Sequence, residues 1–402
     1  MDAALRRAYN ASYSDETYNR YMHRLETLLG CNIPFRVAET PFFIPTELRD
    51  YLAKSAREII DQISEESRLA KMKLAIPPAL NVPRMDAMPN CVQVDFAIVR
   101  GPTGQLEGRV VELQAFPSLY ALMVIQSDVM AETLREMPGM PKDFSIYFGG
   151  LNRETFIERF KKALLAGEDP EHVVLLDLNP PAQKTYPDFV ATRMLTGVEA
   201  VCPTTLIKEG NKLFREKDGK KIQVRRIYNR IVFDELEVKG VKLPFNYTDD
   251  LDVTWLSHPN WYWTWSKFTL PFIDHPAVPK ATYVSDLKEP PANLSGYVLK
   301  PLFSFAGSGV NIDPTHADLA AIPAEQRDKW ILQEKITYEP GILMPDGTGV
   351  KAEVRMMFLR APDEPKPNLV LNLVRLSRGK MLGVDQNKNL TWVGGTVGIW
   401  PA

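Results

Sequence analysis

The sequence predicts a mixed fold, with antiparallel β lobes and a small α/β lobe set between them. Three observations lead to that expectation. CVQVDFAIVR and GRVVELQAF, within 91–116, are β-rich runs joined by the turn-rich GPTGQLE, which reads as a hairpin. Around 145–235 the order is β-α-β, and HVVLLDLNP has the short continuous apolar run of a buried parallel strand. From 297 onward the pattern is antiparallel β, interrupted by one helix at 316–330.

Each element has its own warrant. Residues 1–75 read as helical, and Pro45-Thr46 opens the helical run YLAKSAREIIDQISEESRLAKMKL. SLYALMVIQSDVMAETLREM reads as a helix with Ser118 as its cap. NRETFIERFKKALLAG and TYPDFVATRMLTG are two further helices, and VEAVCPTT is a strand. KLFREKDGKKIQVRRIYNRI reads as one hairpin turning at Asp218-Gly219. Residues 250–275 are aromatic and polar. The pattern divides the chain into a helical region at 1–90, a hairpin and helix at 91–140, an α/β lobe at 141–250 and a β-rich part at 251–402.

Composition narrows the function. At 402 residues the chain is long enough for two or three packed lobes. A formal charge of −2 gives no general basic surface, so nucleic acid is not an expected partner. The 3 cysteines lie far apart, with neither metal spacing nor a disulfide framework, which suits a reducing cytoplasm. The polar N-terminus has no apolar core for a secretory signal, and no run approaches ~20 apolar residues, so no membrane partner is expected.

Two sets of residues carry chemistry. In 297-YVLKPLFSFAGSGVNI-312, Lys300 ends an apolar strand and the small-residue loop Ser304–Gly309, with Gly307 and Ser308, follows. Such a loop brings backbone N–H groups close to an anion, and the lysine adds a compact positive charge. The alternative is an ordinary hairpin turn. WILQEKI turns polar at Gln333-Glu334, able to offer backbone groups to a purine edge and a carboxylate to a ribose. Glu353 and Arg355 share one face of KAEVRMMFL by period-2 spacing, and Arg375 sits in a further strand. The second set is upstream. Asp95 lands opposite or nearly opposite Glu112 across the hairpin, and Gln114 shares the face of Glu112. Two carboxylates and an amide oxygen make a hard-oxygen site suited to Mg²⁺, against the alternative of a solvated sheet face. Asp385, Asn387 and Asn389 in DQNKN read as a turn. His258 reads as structural, Cys91 as a core residue, and Trp261, Tyr262, Trp263 and Trp265 as packing. Arg230 is divided evenly between a cleft residue and a surface strand end.

A lysine, a glycine-rich flap, an adenine-side strand and an arginine-bearing strand, in that order, resemble the nucleotide half of ATP-grasp enzymes. With the acidic hairpin placed before them, the chain resembles the synthetase domain of glutathionylspermidine synthase, from about Asp95 to the C-terminus. The resemblance implies a circularly permuted ATP-grasp fold, with 251–402 as its nucleotide-binding lobes. It implies an ATP-dependent ligase that joins a small-molecule or peptide carboxylate to an amine through an acylphosphate, with ATP and Mg²⁺ as cofactors. Asp95 and Glu112 match the family's metal carboxylates, and Gln114 stands where the family has asparagine. Lys267 in WTWSKFTLPFI and Lys300 resemble the two ATP lysines, and Gly307, Ser308 and Gly309 match the flap. Gln333 falls at the adenine strand, and Arg375 falls where an arginine stabilises the transferring phosphate. Two positions depart: Gln93 and Phe305 stand where the family often has arginine, and there is no amidase domain. An ATP-grasp phosphotransferase and a degenerate nucleotide-binding scaffold are the competing expectations.

Overall fold

The computed structural model describes residues 2–231, 236, 240–304, 308–379, 387 and 389–402. Its spine is an antiparallel sheet in which Gly394–Thr396, Asn368–Ser377, Gly349–Leu359, Cys91–Arg100 and Leu106–Gln114 lie side by side, with Ile342–Leu343 paired to Gly349–Leu359. The early hairpin is therefore hydrogen-bonded directly to strands more than two hundred residues later, as in Arg355 opposite Asp95. Along Cys91–Arg100, Val92, Val94, Phe96 and Ile98 alternate with Gln93, Asp95 and Ala97, and all are buried. Period-2 geometry puts the first set on one face and the polar set on the other.

Helices cover the apolar face. Thr46–Ile63 buries Leu48, Leu52, Ala56, Ile59, Ile60 and Ile63, one stripe at helical spacing. Gly108 is the point of close approach, since a Cβ there would lie 2.5 Å from Leu52 Cδ2. The helices Ala3–Ser12 and Asp15–Leu29 precede it, but Phe42–Phe43 is a strand, parallel to Gly398–Pro401. That pairing ties the first region of the chain to the last, and hydropathy within 1–75 alone does not signal it.

The helix Tyr120–Arg135 corrects the expected Ser118 cap. Leu119 occupies the cap position at φ 66°, and the Asp188 carboxylate accepts from the N–H groups of Leu119 and Leu122, each at 3.0 Å. Asp188 comes from the helix Tyr186–Thr196. A full carboxylate at a helix N-terminus satisfies two orphan donors and the dipole together.

The α/β lobe holds a four-stranded parallel sheet, in the order Thr254–Leu256, Arg226–Asn229, Val173–Leu176 and Glu199–Val201. The expected single hairpin at 212–231 is cut in two. Lys212–Lys217 and Lys220–Val224 pair around Asp218 (φ 51°) and Gly219 (φ 73°), while Arg226–Asn229 leaves for the parallel sheet. All four of its residues are buried, which a two-stranded ribbon cannot provide.

A third, antiparallel sheet of Ala281–Tyr283, Trp330–Glu334 and Tyr297–Pro301 has its own small core of Val284, Leu294, Leu299, Leu319, Ile322 and Leu332. Among the described residues, no helix is long and apolar enough to cross a membrane.

Candidate functional site

The site grows from the polar face of the central sheet. Asp95 is registered opposite Glu112 on one side and opposite Arg355 on the other; Glu353 is registered opposite Arg375. The pairing shifts by one residue after Asp95, so that Phe96 faces Val110 and Val111 is the extra residue of a bulge.

The bulge frees the Val111 carbonyl, and Lys300 takes it. Lys300 Nζ donates to Val111 O at 3.0 Å and to Gln333 Oε1 at 2.6 Å. Gln333, 1% exposed, turns its amide nitrogen toward Val110 O at 3.5 Å. Burial lowers the Lys300 ammonium to about 8; Glu112 and Glu353 pull it up and Lys267 pushes it further down. Lys267 opens the short turn Lys267–Phe272, and its Nζ donates to Ser304 O at 3.1 Å.

Asp95 is fully buried between two arginines. Arg355 grips it with both ends, Nε to Oδ1 at 2.6 Å and a terminal nitrogen to Oδ2 at 2.7 Å. Arg375 bridges Asp95 Oδ2 and Glu353 Oε1. Burial alone would raise the Asp95 carboxyl, but the guanidinium groups of Arg355 and Arg375 outweigh it and hold it below the usual range. Glu353 moves the other way, raised by burial, with Arg375 and a 2.7 Å hydrogen bond from the Tyr338 hydroxyl opposing only in part. Glu112 lies within hydrogen-bonding reach of Asp95. Gln114 donates to Gln93 Oε1 at 3.3 Å, and Gln93 donates to Ser118 O at 3.0 Å.

Glu112, Gln114, Lys267, Phe303 and Ser304 line a cavity of 40 Å³ between the hairpin and the third sheet. Ser304 Oγ is buried there, with no hydrogen-bond partner among the described residues. A hard cation fits the Glu112–Gln114 edge, where a carboxylate and an amide meet the cavity. It does not fit Asp95, whose two oxygens are both committed to guanidinium groups. Among the described residues, no three or more His, Cys, Asp or Glu side chains are arranged to hold a metal ion.

Nine of the residues expected from sequence thus come together: Asp95, Glu112, Gln114, Lys267, Lys300, Ser304, Gln333, Arg355 and Arg375. Glu334 does not join them; it is exposed and accepts from the Lys280 N–H at 3.3 Å. Ser308 and Gly309 are exposed, and the loop that carries them is closed by a Leu299–Asn311 bridge. Gly307 and Phe305 lie outside the described residues, as does Asp385. Asn387 accepts from Ser377 Oγ at 3.1 Å, and Asn389 is exposed. Glu353 and Tyr338 had no expected role, although the shared face of Glu353 and Arg355 was the signal for the first. Arg230 is buried, its guanidinium over the Phe116 ring at 4.6 Å and hydrogen-bonded to Pro117 O, so it is not a surface strand end. His258 bonds Pro83 O at 2.9 Å and is lowered to about 4 by burial, a neutral structural histidine.

No family model and no curated protein matches this chain. A solved structure does: a glutathione synthetase-like effector from Globodera pallida, in its apo form, superposes with a TM-score of 0.55. The likeness is one of fold. The two sequences are 13% identical, over 90% of this chain and 94% of that one. In this chain the architecture is a mixed one with several antiparallel sheets, and these sheets bring Lys300, Arg375 and Glu112 near one another.

Proposed function

We propose that the fold is an ATP-grasp fold in circularly permuted order and that the protein is an ATP-dependent ligase joining a carboxylate to an amine. One observation carries the reading: Glu112 and Lys267 line one cavity, and Lys300 and Arg375, from two further segments, lie close enough to feel the Glu112 charge. Convergent cations suit a polyphosphate, and the acidic edge beside them suits its counter-ion.

In this reading Lys267, Lys300 and Arg375 hold the phosphates. An oxygen of the acid substrate attacks the γ-phosphorus, the bond to ADP breaks, and an acylphosphate forms. The amine nitrogen then attacks the acyl carbon, loses its proton, and expels inorganic phosphate. The protein's work is positioning and charge neutralisation. The cation supplies charge to the phosphates when bound, held by Glu112 and Gln114. By the sequence resemblance, the segment Ser304–Gly309 would serve as the flap that keeps water from the acylphosphate. A nucleotide site occupies roughly 300–1,000 Å³, far more than the 40 Å³ present. Entry therefore requires the third sheet to part from the hairpin, releasing Lys300 from Val111 O and Lys267 from Ser304 O.

The test is ADP release by the purified chain, screened over acid–amine pairs, with the product weighed by mass spectrometry. An amide with ADP supports the ligase. A phosphorylated acceptor with ADP replaces it by a phosphotransferase. One observation favours a second reading, a scaffold without catalysis: in the closed cleft Lys300 and Lys267 bond protein oxygens. Under that reading no pair stimulates ADP release.

A further inference from the structure

The resemblance in sequence makes Asp95 a metal ligand; its surroundings point elsewhere. A carboxylate that ligates a cation needs an oxygen lone pair facing the ion. Asp95 is 0% exposed, and Arg355 engages both of its oxygens at 2.6 and 2.7 Å. Arg355 is itself 7% exposed and stands directly across the ladder from Asp95, so the two backbones hold the pair in place. A buried, bidentate, registered pair of this kind is costly to break from one side. Arg375, by contrast, keeps a third of its side chain exposed while Asp95 and Glu353 hold its terminal nitrogen from two directions.

We propose that Arg355 is a built-in cation that permanently fills the place of a metal at Asp95, and that Asp95 and Glu353 are positioning residues that aim Arg375 at the phosphates. Divalent metal then enters on the Glu112 side alone. Three carboxylates, Asp95, Glu112 and Glu353, face two guanidinium groups, Arg355 and Arg375. Once Arg355 neutralises Asp95, Glu112 is the carboxylate left facing the cavity. The role of Arg375 here rests on the nucleotide reading above; the role of Asp95 toward metal does not.

The experiment uses Mn²⁺ alone as the probe, followed by electron paramagnetic resonance on the full chain. Asp95→Asn should leave Mn²⁺ affinity within twofold of the unsubstituted protein. Arg355→Met, which frees Asp95 Oδ1 while Arg375 keeps Oδ2, should tighten Mn²⁺ at least tenfold, and Asp95→Asn/Arg355→Met should abolish that gain. A purely structural role for Arg355 would produce no gain. Mn²⁺ affinity that falls tenfold or more in Asp95→Asn overturns the proposal, and this arm decides the matter alone if Arg355→Met does not fold by circular dichroism. In a second arm, ATP in excess EDTA should bind Asp95→Asn at least tenfold more weakly, because Arg375 loses an anchor. Equal ATP affinity overturns the positioning role. If the unsubstituted chain binds no ATP, the nucleotide reading and the aim of Arg375 fall together, while the Mn²⁺ arm still decides Asp95.

Discussion

Lys300 offers a test with a sign and a size. Its ammonium is buried against Val111 O and Gln333 Oε1, and burial brings it from 10.5 to about 8. At ~1.4 kcal/mol per pKa unit, keeping it charged in the folded state costs about 3 kcal/mol. Below pH 8 both the folded and unfolded chains hold the proton, and the whole cost is present. Between pH 8 and 10.5 the folded protein releases the proton while the unfolded chain keeps it, so stability rises with pH. Lys300→Met has no such proton, and other titrations are common to both proteins. Urea unfolding of the two, side by side from pH 7 to 10.5, should therefore show the native protein gaining about 3 kcal/mol on the variant across that window. A difference between the two that stays constant over the whole range would refute the reasoning. It would mean that Lys300 is not held in the desolvated position its two partners define.

Three further outcomes follow from particular contacts. Asp188→Ala leaves the N–H groups of Leu119 and Leu122 unpaired at a buried helix start; a loss of about 3 kcal/mol is expected in the unfolding free energy from urea titration, with Asp188→Asn recovering part of it. Cys91 is fully buried and its thiol is pushed up to about 12 by that burial, so iodoacetamide on the native protein at pH 8 should modify Cys31 and Cys202 and spare Cys91 in a peptide map. Gly394 has φ 116°, and a Cβ there would strike the Arg36 carbonyl oxygen; Gly394→Ala should lower the melting temperature by several degrees, whereas Gly104→Ala, in a surface turn with open space around it, should cost much less.

Much of this arrangement is written locally, and some is not. That Asp95 lies near Glu112 follows from where the turn at 101–105 falls, which depends only on neighbouring residues; the turn's register alone would set Asp95 opposite Val111, and the bulge moves it to Glu112. The helix Thr46–Ile63 and the parallel strand Val173–Leu176 are legible for the same reason. The bulge at Val111 is not, because two adjacent valines are equally good strand residues and the groups that meet the bulge, Lys300 on the Val111 carbonyl and the Ala277 carbonyl on the Val110 N–H, come from far along the chain. The fate of Arg355 is likewise a tertiary fact. Its spacing from Glu353 puts both on one face, but only the pairing of Gly349–Leu359 with Cys91–Arg100 shows that the facing residue is Asp95. The segment at Gln333-Glu334 reads as offering backbone groups to a purine edge; the structure adds that the Gln333 side chain holds Lys300, a partner fixed by the pairing of Tyr297–Pro301 with Trp330–Glu334. The Asp188 cap arrives from another helix altogether, so a search for a local serine points to Ser118.

The most direct test of the central claim is equilibrium binding of ATP to the full chain by calorimetry, with and without Mg²⁺, beside Lys267→Met/Lys300→Met. The proposed nucleotide site requires saturable one-to-one binding of ATP that the double variant loses by at least a hundredfold. No measurable heat with ATP, or equal binding by the double variant, would contradict it and leave Lys300 as a buried strut between the hairpin and the third sheet.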